Sequence, residues 1–309
     1  MGKTKGRLTL PSESNFLEQT KELLERWGAD AIRDSDGTKL DEATKQLDAK
    51  IYTTYFVARN HNDFIKDYME ECQQIFVMSK FWLATEETLT IPFMEGYFED
   101  QVQPDYVHDP KKYWEVIDRT TGEVVPVERW SINQENNTVT IQETKPFHEY
   151  TVSFLVYAIW DPTQMYNHIT NNWGDVPHDI PFDVRGPHSN QFMHSYLKQW
   201  LKDNPDTDVV RFTTFFYHFT LIFNNLGKEK FVDWFGYGAS VSVAALEAFA
   251  KEKGYRLRAE DIVDEGYYNS TFRTPSKAYL DYIDFIQAFV AREAKKLVDE
   301  VHDAGKEAM

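Results

Sequence analysis

Apolar positions along the chain follow two periods. At helical spacing, Phe16, Leu17, Leu23, Leu24 and Trp27 mark one face of residues 15–28, with Asn15 and Glu18 placed as a capping box and Gly28 placed to end the helix. The same reading predicts helices over 41–49, near 163–171, over 189–203 and 241–253, and a long amphipathic one over 276–303. Strand-like runs lie between them at Ala29–Ile32, Ile51–Val57, Thr151–Ile159, Val209–Phe216 and Lys230–Phe235. The runs at 151–159 and 209–216 are nearly continuously apolar, as in strands buried on both faces.

Between about 73 and 150 the pattern shortens. Ile75–Met78, Thr88–Ile91, Trp114–Ile117, Val124–Val127 and Thr138–Ile141 are brief segments rich in β-formers, split by turn signals such as Thr121-Gly122 and Asn136-Asn137. This stretch reads as an antiparallel β insertion. Elsewhere strands alternate with helices, which predicts an α/β chain with a parallel sheet or barrel. Residues 1–309 are expected to form one domain interrupted by that insertion. Gly305–Met309 reads as a helix end leading into a strand that does not arrive, so the chain is expected to be the N-terminal portion of a longer protein.

Composition narrows the partners. The formal charge is -17, and a surface of that sign repels nucleic acid and offers no phosphate-tracking stripe. Cys72 is the single cysteine, so neither an intrachain disulfide nor a Cys-x-x-Cys metal or redox pair is available. The N-terminal residues lack the apolar core of a signal peptide, and no apolar run is long enough to span a membrane. The expectation is a cytoplasmic protein, for which the sequons at Asn136 and Asn269 are chance matches.

Polar residues interrupt or directly follow the buried strands at three places: Arg33-Asp34-Ser35-Asp36-Gly37, Trp160-Asp161-Pro162-Thr163, and Arg211 ahead of Tyr217-His218. In a parallel barrel the carboxyl ends of the strands form the active-site face. Two structural alternatives stand beside that reading: Asp161 caps the next helix, and Arg211 pairs with a buried carboxylate. An arginine among Val, Val and Phe is costly unless its planar fork meets carboxylate, phosphate or hydroxyl oxygens. Asn167 offers both donor and acceptor, as sugar hydroxyls require. Gly236-x-Gly238 has Val241 where a dinucleotide loop needs its third glycine, and the histidines, His148 and His168 among them, show no metal-ligand spacing.

Several long stretches carry a resemblance: Gly6–Glu13, Trp27–Gly37, Lys112–Val125, His148–Pro162, Met165–Asp175, Asp208–Tyr217 and Asp233–Gly236. Together they closely resemble the galactosyl-N-acetylhexosamine phosphorylases, which act on galacto-N-biose and lacto-N-biose, and the similarity spans essentially the whole chain. The resemblance implies an incomplete TIM (β/α)8 barrel carrying the β insertion, with later strands and further domains beyond Met309. It implies reversible, inverting phosphorolysis of a β-1,3-galactoside, with inorganic phosphate as co-substrate and no organic cofactor or metal. Arg33 and Asn167 look like the family's sugar-contacting arginine and asparagine, and Arg211 like its second active-site arginine. Thr163 sits beside the acceptor sugar, where a hydroxyl would favour galacto-N-biose. The family's general-acid Asp falls a few residues past Met309, so no residue here takes that role and the 309-residue chain is expected to be inactive by itself. A homodimer is one open arrangement of the full-length parent. A retaining β-galactosidase of related barrel fold and a non-catalytic carbohydrate-binding fragment are the alternatives.

Overall fold

The computed structural model describes residues 8–35, 38–161, 178–217, 219–233 and 235–309. The chain divides into two compact units, one formed by residues 1–57, 190–215 and 289–309 and the other by 58–189 and 216–288.

The first unit is built on a parallel sheet whose strands lie in chain order. Thr9–Ser12 pairs with Ala31–Asp34, which pairs with Lys50–Tyr55, then Val209–Phe212, then Glu307–Ala308. Sequential parallel pairing of this kind is what the opening strands of a β/α barrel make, because each strand returns through a helix to lie beside the last. The helix Leu17–Trp27 ends on Gly28 at φ +63, as its sequence requires. Its start departs from expectation. Phe16 is the N-cap with no side-chain cap, and Asn15 sits at φ +72 with its N–H donated to Asp41 Oδ2. Asp41 caps its own helix, Glu42–Lys45, which is shorter than the 41–49 stretch predicted. Ile32, Leu40, Ala49 and Ile51 pack as one buried cluster with Leu24 and Leu47 against them. Helices therefore cover the sheet face that carries Ile32 and Ile51.

The last strand is a correction to the expectation from sequence. Glu307–Ala308 does pair within the chain, parallel to Val209–Val210, rather than failing to arrive. The strand predicted over 209–216 stops at Phe212.

In the second unit the β-rich stretch is longer than predicted. Glu149–Ala158 does not resume the β/α alternation expected of it. It pairs antiparallel with Gln74–Met78 on one side and Glu115–Asp118 on the other. Its nearly continuous burial has a physical reason: it is a central strand covered on both faces, with Phe154 against Phe93 at 4.7 Å and against Trp114 at 5.5 Å. An apolar run reports burial on two faces and carries no information about strand direction. Glu229–Asp233, likewise predicted as part of the parallel series, forms an antiparallel pair with Thr220–Phe223. The helices Pro187–Asp203, Val243–Lys253 and Lys277–Asp303 lie where the periodicity put them, and the helix predicted near 163–171 is outside the described residues.

Candidate active site

The register of the parallel sheet decides which side chains share a face. Arg33 is level with Tyr52, Tyr52 with Val209, and Thr54 with Arg211. Residues paired across a parallel ladder point the same way, and alternate residues along a strand share a face. Arg33, Lys50, Tyr52, Thr54, Arg211 and Glu307 therefore occupy one face. The opposite face meets the helices: Ser12 Oγ lies 2.7 Å from Thr20 Oγ1, and the Tyr55 ring packs edge-on to Trp200 at 5.1 Å. The same face also carries Ala31 and Val209, both buried, so its charged residues stand beside an apolar centre.

Charge along this face is graded. Near the amino ends of the strands, Lys50 and Glu307 pair at 2.5 Å, and the hydrogen bond to Glu307 raises the lysine pKa above its ordinary value. Near the carboxyl ends stand Arg33 and Arg211, both half-buried. They flank the Lys50–Tyr55 strand, about 10 Å apart across the sheet and offset by two residues along it. Thr54 lies between them. Asp34, 5% exposed, accepts from Thr54 N at 2.9 Å (Oδ1) and 3.0 Å (Oδ2), and its Oδ1 accepts from Thr54 Oγ1 at 2.6 Å. Arg211 Nη1 donates to Thr54 Oγ1 at 3.1 Å, and Arg33 Nη1 donates to the Asp34 carbonyl at 2.9 Å. A cavity of about 470 Å³ has Asp34 and Thr54 in its wall together with Tyr196 and Trp200, but neither arginine.

The structure thus brings Arg33 and Arg211 onto one face. Thr163 and Asn167 lie outside the described residues, as do Asp36, Gly37, His168 and His218. Asp161 is fully buried and takes an ion pair from Arg59 at 3.2 Å. His148 directly precedes the Glu149–Ala158 strand and bonds Asp118 at 2.7 Å. The Gly236-x-Gly238 loop is closed on its own Asp233, whose carboxylate accepts from Phe235 N and Gly238 N, the kind of amides a phosphate would need. Among the described residues no group of three or more His, Cys, Asp or Glu is arranged to hold a metal ion, and no helix is long and apolar enough to cross a membrane. Thr54 escapes sequence reasoning because, inside Ile-Tyr-Thr-Thr-Tyr-Phe-Val, its hydroxyl reads only as β-propensity.

A parallel β/α sheet with two arginines at the carboxyl ends of its strands is the opening part of a β/α barrel domain, on the side where such folds carry their sites. Residues 6–309 match the family of the lacto-N-biose phosphorylase N-terminal TIM barrel domain, and the chain belongs to that family. It is 55% identical over 304 residues to a 1,3-beta-galactosyl-N-acetylhexosamine phosphorylase of Bifidobacterium longum subsp. longum, covering 98% of this chain and 40% of that protein. A 1,3-beta-galactosyl-N-acetylhexosamine phosphorylase of Lachnoclostridium phytofermentans is 50% identical over 308 residues, 99% of this chain and 42% of the relative. A D-galactosyl-beta-1->4-L-rhamnose phosphorylase of the same organism is 40% identical over 305 residues, with 98% and 42% covered. The chain spans about two fifths of the length of these relatives.

Proposed function

We infer that the protein carrying this chain is a galactoside phosphorylase, and that the arginine-bearing sheet face is part of its substrate pocket. An oxygen of inorganic phosphate attacks the anomeric carbon of a β-1,3-linked galactosyl residue, and the bond to the glycosidic oxygen breaks. A carboxylic acid protonates that oxygen as it leaves. The products are α-galactose 1-phosphate and an N-acetylhexosamine. Phosphate arrives as an anionic nucleophile, so the second carboxylate that an inverting hydrolase uses to activate water is unnecessary. What the pocket must supply instead is positive charge and planar donors for the phosphate and the sugar hydroxyls.

The observation that carries this reading is the shared placement of Arg33 and Arg211 at the strand ends, on a face where Lys50 and Glu307 satisfy each other's charge. The relatives support it, since all three named above are phosphorylases of β-galactosides, two of them of galactosyl-N-acetylhexosamine and one of galactosyl-L-rhamnose. Asn167 is assigned to sugar hydroxyls and Thr163 to the acceptor side, where its hydroxyl favours galacto-N-biose. The catalytic acid is assigned to none of these 309 residues. We place the protein in the cytoplasm, where the buried Cys72 thiol, pushed up to about 12 by burial, stays protonated and unreactive.

Product analysis tests the reading. The protein at its natural length, incubated with galacto-N-biose or lacto-N-biose, is expected to release N-acetylhexosamine only when phosphate is present, with a matching galactose 1-phosphate signal by ³¹P NMR. Free galactose released without phosphate would identify a galactosidase, and sugar binding without turnover a binding module.

A further inference from the structure

We propose that Asp34 and Thr54 are positioning residues that fix Arg211, and through the Asp34 carbonyl also Arg33, in the orientation the pocket uses. The proposal rests on the phosphorylase reading for its kinetic consequence, but not for its geometry.

Proton accounting gives the relay a direction. An ionised carboxylate only accepts, so the 2.6 Å contact between Asp34 Oδ1 and Thr54 Oγ1 consumes the single proton of the threonine hydroxyl. The hydroxyl is then left with lone pairs alone, and the guanidinium of Arg211, which only donates, meets an acceptor at 3.1 Å. The carboxylate polarises the hydroxyl, and the hydroxyl presents that polarisation to the arginine. Both Asp34 oxygens also accept from Thr54 N, so the backbone of the third strand is locked to the end of the second and the hydroxyl cannot drift from its place. Asp34 is 5% exposed, so water does not compete strongly for its oxygens. Its main-chain carbonyl meanwhile accepts from Arg33 Nη1 at 2.9 Å. One residue thus ties both arginines, one through its backbone and the other through a neighbour's hydroxyl.

A purely structural role would need only the backbone bonds between Asp34 and Thr54. The hydroxyl link to Arg211 is what separates the two accounts. Thr54→Val keeps the β-branched shape and the backbone N–H but removes the hydroxyl, whereas Thr54→Ser keeps the hydroxyl. Asp34→Asn is more severe for a specific reason. With its carboxamide oxygen at the Oδ1 position Asn keeps that oxygen's two bonds from Thr54, but the negative charge that polarises the hydroxyl is gone and its NH2 faces Thr54 N–H, donor against donor, where Oδ2 accepted.

The test combines kinetics with the side-chain NMR of Arg211 in ¹⁵N-arginine-labelled protein at its natural length, assigned with Arg211→Lys. Thr54→Val is expected to lower kcat/KM for phosphorolysis on the order of 10- to 100-fold, the effect of losing one hydrogen bond to a charged group. Asp34→Asn is expected to lower it further, and Thr54→Ser to stay near wild type, with the melting temperature of Thr54→Val little changed. The guanidinium N–H signals of Arg211 are expected to broaden in Thr54→Val and return in Thr54→Ser. Wild-type turnover and unchanged Arg211 signals in Thr54→Val would overturn the proposal, and a general loss of Tm equal in Val and Ser variants would overturn it as well. If no galactoside is phosphorolysed by the unsubstituted protein but the Arg211 signals respond as described, the relay stands and the phosphorylase reading fails.

Discussion

Arg211 interrupts an otherwise apolar strand, and its register places the guanidinium level with a hydroxyl on the sheet face opposite the helices. That made it legible in the sequence: a cation inside Val-Val-x-Phe has few reasons to exist apart from a ligand or a buried counter-ion. Arg33 was legible as the first residue of the polar stretch read directly after the Ala29–Ile32 strand, although the strand itself runs Ala31–Asp34 and includes it. Asp34 was visible only as one of a polar cluster, and Thr54 not at all, because the value of both comes from register rather than from composition. If the account is right, Arg211→Met in the natural-length protein lowers kcat/KM by at least about 10²-fold while the melting temperature barely moves. Unfolding without a specific kinetic defect would instead make Arg211 a structural counter-ion.

Elements were legible in proportion to what their pattern encodes. Periodicity placed the helices of 17–27, 187–203, 243–253 and 277–303 to within a few residues, because an amphipathic stripe is read directly from spacing. Strand direction was not encoded, and two apolar strands assigned to the parallel series proved antiparallel. The start of the Pro187–Asp203 helix was also hidden, since its cap comes from far away in sequence. Glu71, 8% exposed, accepts from Ser189 N at 2.7 Å and from His188 N and Nδ1 at 3.2 and 2.8 Å. Burial pushes the Glu71 carboxyl up, but the bonds from Ser189 and His188 outweigh it and hold its pKa below the ordinary value. Because the folded pKa is depressed, this carboxylate stabilises the fold above about pH 4.5, and the contribution is lost as pH falls through the folded pKa. Gly186 leaves the room: a Cβ there would run into the Glu71 carboxylate at Oε2. Gly186→Ala is expected to displace the carboxylate and cost about 1.5–3 kcal/mol at neutral pH, the worth of a charged hydrogen bond. Melting curves should show the Gly186→Ala and Glu71→Gln deficits shrinking as pH is lowered from about 7 towards about 3, through the range in which the carboxylate takes up its proton. Deficits that stay constant over that range would mean the carboxylate charge is irrelevant to the helix start.

At the scale of the whole molecule, the ordered parallel sheet was anticipated by the alternation of strands and helices, and the family match over residues 6–309 names the fold as a TIM barrel domain. The division into two units was not anticipated, because the 216–288 stretch carries helix and strand signals in proportions that resemble the rest of the chain. In chain order that stretch follows the fourth parallel strand, as 58–189 follows the third, and loops after barrel strands are where such folds acquire substrate specificity. The net charge of -17 is carried by the chain as a whole, while Arg33 and Arg211 stand together on one sheet face. The central claim is inverting transfer between phosphate and an N-acetylhexosamine, and the reverse reaction probes both halves of it at once. The natural-length protein, given galactose 1-phosphate with N-acetylglucosamine or N-acetylgalactosamine, is expected to release phosphate from the α anomer only and to form a β-1,3-linked disaccharide. Phosphate release without an acceptor, use of the β anomer, or no release at all would contradict the account.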